Sequence, residues 1–204
     1  MALHKSMASM ASEVITEYLR ACQFCLEGDE VLGYPATLLL LCVINAFGSY
    51  LKGESVRIDG KLREIKRGEP FRVLNHPLFG LQLKEKQIKL VEYSYRNGLS
   101  HNAIIERGAF LLPGQAGAPF IFNGNVVLIR VGAFYSLVSR VWSQFPKETI
   151  VQWEQRRPGY LWSSSEVFEL SKSNKLLPDE LQALMRDYQQ WKKKKKKKKK
   201  KKAH

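Results

Sequence analysis

The chain has 204 residues, with 33 Lys+Arg against 19 Asp+Glu and a formal net charge of +14 at pH 7. Eleven of those cations form an unbroken lysine run at 192–202; without it the chain holds 22 basic and 19 acidic residues, so the body is close to neutral and its charge does not by itself make a nucleic-acid-binding domain. At 45% hydrophobic and 11% aromatic the composition excludes a disordered chain, and the three cysteines Cys22, Cys25 and Cys42 exclude a disulfide framework.

Taken in chain order, residues 1–11 are small and polar and are expected to be a flexible N-terminus. The spacing of Val14, Tyr18, Cys22 and Cys25 predicts a helix over 12–27, with Ser12 as its N-cap. A second helix is predicted over 36–51, apolar on nearly all faces and therefore the buried central helix. Its apolar stretch, 36–48, is shorter than the roughly 20 residues a bilayer span needs. It also lies behind the charged segment 27–30, which argues against a signal peptide. A cytoplasmic protein with reduced thiols and no integral membrane association is expected.

Residues 52–72 read as a polar, basic connector carrying Arg57, Lys61, Arg63, Lys66, Arg67 and Arg72. A third helix is predicted from near Leu78 to beyond Tyr95, with Leu81, Ile88, Val91, Tyr95 and Leu99 in one stripe and Lys84, Glu85, Lys86 and Lys89 facing water. From 108 to 131, short apolar runs alternate with Gly, Pro and Asn. Asn123-Gly124 between two such runs signals a hairpin, so a small antiparallel insertion is placed there. Helical periodicity returns over 131–145, breaks at 163–165, and resumes in a last short helix over 178–191. The tail, 192–204, is expected to be disordered by charge repulsion and to add salt-dependent, sequence-independent affinity for RNA, DNA or an anionic membrane. The fold class is thus mainly α: a helical domain over 12–191 with a β insertion at about 108–131.

The chemistry concentrates in Tyr95-Arg96-Asn97-Gly98-Leu99-Ser100-His101-Asn102, at the end of the third helix. Asn97 and His101 are four apart and share a helix face. Arg96 and His101 are five apart, and a long arginine side chain can swing towards the histidine. An imidazole with an ordinary pKa near 6.5 serves as base or acid, and a guanidinium presents a planar fork to two phosphate oxygens. That set suits RNA cleavage, in which a 2′-hydroxyl loses a proton, phosphorus gains charge and the 5′-oxygen leaves. One histidine cannot hold both proton roles at once, whereas a two-fold homodimer supplies each group twice. No metal or cofactor is called for.

The string Arg96-Asn97-(Gly98-Leu99-Ser100)-His101 resembles the signature of the HEPN superfamily: Arg, four to six residues, then His, often with a polar residue directly after the Arg. The layout of two N-terminal helices, a linker and a motif-bearing helix is similar too, over about 12–145. The resemblance implies an antiparallel, dimerising helical bundle and, as in many members, a metal-independent endoribonuclease of toxin–antitoxin, phage-defence or RNA-processing systems. It implies Arg96 and His101 as the catalytic pair, with Asn97, Ser100 and Asn102 binding or orienting phosphate. RNA is the implied substrate, and an antitoxin or other protein the further partner. Members paired with a nucleotidyltransferase antitoxin carry a Tyr three residues after the His; this chain has Ile104 there, so control through that tyrosine is not implied. The β insertion lies outside the minimal bundle.

Other readings stay open beside this one. An Arg and a His at a helix C-terminus also complement its dipole and cap its carbonyls, and some HEPN-like domains are non-catalytic dimerisation or RNA-binding modules. Cys22-Gln23-Phe24-Cys25 sits in a helical stripe with no second CxxC, so core cysteines are expected rather than zinc or redox ligands. His76, before Pro77, reads as a structural or exposed turn residue. Trp153, Tyr160 and Trp162, near Arg156 and Arg157, could stack on bases, but packing against the bundle is the favoured reading.

Overall fold

The structure is a computed structural model that describes residues 6–27, 32–96 and 107–156. Its elements belong to one unit, Met7–Pro158, and form a mainly helical fold with two small sheets. The expected last helix at 178–191, the break at 163–165, the lysine tail, Arg157, Tyr160 and Trp162 lie outside the described residues.

The first helix, α1, spans Met7–Glu27 and so begins five residues before the expected Ser12 cap. The reason is tertiary. The Glu154 carboxylate reaches in from the far end of the unit and accepts the Met7 N–H at 2.9 Å and the Ala8 N–H at 3.4 Å. A carboxylate on the first turn satisfies free donors and complements the helix dipole. Ser12 lies within the helix, and its carbonyl accepts the Thr16 hydroxyl. Ala8, Ile15, Leu19, Cys22 and Cys25 form the buried face.

The central helix, α2, spans Gly33–Tyr50, with Leu40, Leu41, Val43, Ile44 and Phe47 buried. At eighteen residues it is longer than the apolar run in the sequence suggests, and by length and composition alone it is apolar enough to cross a membrane; half of it is buried inside the fold. It packs on α1 and on four later elements, the 3₁₀ helix Pro70–Asn75, the strand β3 (Ala109–Leu112), α4 (Val131–Gln144) and α5 (Lys147–Gln155). Phe47 is the hub: Phe145 stacks on it at 4.7 Å, and Phe79 and Trp142 lie at 5.9 Å. One residue on, Gly48 lets the backbone of Pro70 come so close that a Cβ would stand 2.2 Å from its carbonyl oxygen.

The expected connector at 52–72 is an ordered module, which corrects the sequence reading. Strands β1 (Ser55–Ile58) and β2 (Lys61–Glu64) pair antiparallel. Asp59 and Gly60 both take positive φ, 50° and 75°, as a two-residue hairpin turn with the strands' own twist requires. Val56 and Ile58 are buried, while all of β2 is exposed. The 3₁₀ helix follows. Its Arg72 ion-pairs with Glu69 at 2.6 Å and Glu85 at 3.1 Å and donates to the Glu64 carbonyl. Asn75 bonds the Arg57 carbonyl and both backbone groups of Leu83.

The third helix, unlike the first two, is shorter than expected. α3 spans Glu85–Val91, because Gly80 takes a φ of 66° and the chain over 78–84 is held instead by Asn75. The Gln87 side chain accepts the Lys84 N–H at the helix start. Ile88, Val91 and Tyr95 are buried and Lys84, Lys86 and Lys89 are exposed, as the stripe predicts; Glu85 is half-buried because it pairs with Arg72. Leu99 lies outside the described residues.

The β insertion is present but mixed rather than antiparallel throughout. In a three-stranded sheet of order β3-β5-β4, β3 (Ala109–Leu112) runs parallel to β5 (Val126–Arg130), and β4 (Phe120–Asn123) forms the expected hairpin with β5 across Gly124. β5 leads directly into α4, where Gly132 admits the Gly114 carbonyl. α5 has no counterpart in the sequence reading. It buries Ile150 and sets Trp153 edge-on against Tyr50 at 5.1 Å, and just beyond it Arg156 donates to the Lys52 and Tyr50 carbonyls. These two side chains are packing groups, as favoured from the sequence.

Candidate functional site

The motif begins where α3 ends. After Val91 the backbone widens into a π-helical turn over 92–96, a form that occurs mostly as single turns and often at functional positions. Tyr95 explains why the chain is held there. Its ring is fully buried, and its hydroxyl accepts the Phe110 N–H at 2.8 Å and lies 2.6 Å from the Phe110 carbonyl and 2.8 Å from that of Val127. The phenol thus ties the end of the helix to β3 and β5, and burial pushes its pKa up to about 12.

Arg96 directly follows this anchor and is half-buried. Its charge reaches two neighbours. Burial pushes the Glu92 carboxyl above its ordinary range, and Arg96 opposes that shift; burial likewise raises the thiol of Cys42 on α2, with Arg96 again opposing. Arg96 therefore sits within electrostatic reach of a partly desolvated thiol on α2 and of a carboxyl one turn earlier on its own helix. Of the site residues expected from sequence, Arg96 is the one described; Asn97, Ser100, His101 and Asn102 lie outside the described residues, as does Ile104.

Two other groups singled out in the sequence have structural uses. Cys22 is fully buried and its thiol points at the Ala36 carbonyl, 3.5 Å away, across the α1–α2 contact. Burial raises its pKa to about 12, which suppresses the reactive thiolate. Cys25 is buried on the same face. Among the described residues, no three His, Cys, Asp or Glu side chains come together. His76 uses both ring nitrogens: Nδ1 accepts the Leu78 N–H at 3.3 Å, which leaves Nε2 to donate to Glu54 at 2.9 Å.

Sequence reasoning missed a cleft of about 540 Å³ beside the β1–β2 turn, lined by Arg57, Asp59, Asn75, His76 and Lys84 among others. Three of its polar side chains already have protein partners. Asn75 makes three hydrogen bonds, His76 two, and the Asp59 carboxylate accepts the Glu85 N–H. Groups satisfied in this way hold the module together rather than await a ligand. The Asp59-Gly60 pair was the signal that would have found this module. Compared with protein-family models, curated proteins and solved structures, the chain matches none.

Proposed function

We propose that the chain is a metal-independent endoribonuclease of HEPN type that acts as a homodimer on RNA in the cytoplasm. Arg96 and His101 form the reacting pair, and Asn97, Ser100 and Asn102 orient the phosphate. One observation carries the reading: the Arg96-to-His101 string starts in a π-helical turn that Tyr95 fixes to the sheet, so the arginine directly follows an anchored residue. In the proposed reaction one imidazole takes the 2′-hydroxyl proton and the 2′-oxygen attacks phosphorus. The bond to the 5′-oxygen breaks, and that oxygen takes a proton from the imidazolium of a second copy. The products are a 2′,3′-cyclic phosphate and a 5′-hydroxyl, with Arg96 stabilising charge on the phosphoryl oxygens. A protein partner of antitoxin type would control such an activity.

The test compares the full chain with His101→Ala and Arg96→Ala on labelled RNA in EDTA. Cleavage by the parent, lost in both variants and absent on DNA, is expected. Equal cleavage by parent and variants overturns the reading.

A second reading is favoured by Glu92. A half-buried carboxyl within the field of Arg96 gives that cation an intramolecular use, which suits a non-catalytic helical interaction module. That module would capture a protein in fixed stoichiometry, insensitive to Arg96→Ala, and would show no RNA cleavage.

A further inference from the structure

The near-neutral body does not spread its charge evenly. Residues 52–67 hold Lys52, Arg57, Lys61, Arg63, Lys66 and Arg67 against Glu54, Asp59 and Glu64, an excess of three cations. That equals the whole excess of the chain once the lysine run is set aside, so the remainder of the body balances to zero.

The fold then leaves this excess unneutralised. All six cations are exposed, and none makes an ion pair with a described residue. Of the three acids, Glu54 is engaged by His76 and Asp59 by the Glu85 N–H. The strand register shows how the row forms. Lys61 lies opposite Ile58 and Arg63 opposite Val56, so both project from the face that β1 turns to the core. Yet Val56 and Ile58 are buried whereas Lys61 and Arg63 are exposed, so the core ends under β1 and β2 overhangs it. No further strand pairs with β2 among the described residues. Charged edge strands also deter strand-to-strand aggregation, but two lysines or arginines meet that need without concentrating all of the excess that lies outside the lysine run.

We propose that the β1–β2 hairpin, through Lys61, Arg63, Lys66 and Arg67, is a docking strip for the phosphodiester backbone of single-stranded RNA. Alternate residues on a strand stand about 6.8 Å apart, comparable to the separation of neighbouring phosphates along a nucleic-acid strand. The strip offers charge but no amide or aromatic side chain with which to read bases. It therefore binds without sequence preference and with affinity that falls as salt rises. The choice of RNA over DNA rests on the nuclease reading; the backbone chemistry is common to both.

The experiment uses the full chain, so the lysine tail contributes equally to every sample. Binding of a 20-nucleotide single-stranded RNA is titrated against salt for the parent, for K61E/R63E/K66E/R67E, and for the charge-keeping K61R/R63K/K66R/R67K. The reversal variant is expected to lose at least tenfold in affinity at near-physiological salt and to flatten the log–log salt slope by about 3, at roughly 0.7 per lost phosphate contact. The charge-keeping variant should bind as the parent does. All three should unfold at the same temperature, because the altered side chains are exposed and make no ion pair with a described residue. Unchanged affinity and slope in the reversal variant overturn the proposal. So does a loss confined to phosphatidylserine vesicles, which would make the strip a membrane contact, or a loss confined to the matching DNA strand. The nuclease reading fails separately: if His101→Ala leaves cleavage unchanged while the reversal variant still loses RNA affinity, docking stands and catalysis does not.

Discussion

The C-terminal end of α2 joins two opposite kinds of structure. Around Phe47 and Gly48 the chain is packed so closely that aromatic rings stack at 4.7 Å and a single added methyl would strike a backbone carbonyl. A few residues later, β1 buries Val56 and Ile58, while the rest of the β1–β2 hairpin displays cations that make no ion pair with a described residue. Close packing is what stabilises a domain, whereas solvated surface charges contribute little to it. The hairpin's charge is therefore available for contacts outside the protein, and substitutions in the two regions should separate stability from binding.

The largest expected effect is Phe47→Ala, which removes the ring at the centre of three aromatic contacts and should cost about 3–5 kcal/mol in a denaturant melt. A cost below about 1 kcal/mol would mean that the aromatic cluster is not the core. Gly48→Ala should follow at about 1–3 kcal/mol from overpacking against Pro70, read as a drop in melting temperature. Tyr95→Phe keeps the ring but strips partners from the Phe110 N–H and nearby carbonyls, at a cost of about 1–3 kcal/mol.

The same phenol sets a pH limit. Its folded pKa of about 12 exceeds the roughly 10 of an unfolded tyrosine, so its protonated form favours the fold. Its contribution is intact below pH 10 and should be lost progressively between about pH 10 and 12; Tyr95→Phe should flatten that part of the stability profile. At the small end, K61E/R63E should change stability by less than about 0.5 kcal/mol while weakening RNA binding. In native protein a thiol reagent should modify exposed Cys42 and leave Cys22 untouched until unfolding.

Much of the helical part of this fold was legible in the sequence, because α2, α4 and the Ile88–Val91–Tyr95 stripe are written in periodic apolar residues. What was not legible depended on distant partners. Nothing near Met7 announces that Glu154 will cap it, and nothing in residues 78–84 shows that Asn75 will hold them out of the third helix. The 52–72 module is a different failure: Asp59-Gly60 directly after the alternating Val56 and Ile58 is a local hairpin signal, masked by the surrounding charge. Of the candidate site, Tyr95 was visible as a stripe residue, but its role as an anchor needs Phe110 and Val127, brought in by the sheet. The proposed pairing of Arg96 with His101 across two copies would be a matter of side-chain geometry and symmetry that spacing does not dictate.

The central claim concerns how a phosphodiester would be cut, and a DNA oligonucleotide carrying a single ribonucleotide tests it most directly. In EDTA the full chain should cut once, directly 3′ of the ribose, and leave a 2′,3′-cyclic phosphate, with the product absent for His101→Ala. An intact oligonucleotide, cutting at deoxyribose linkages, or the same product from His101→Ala would contradict the claim.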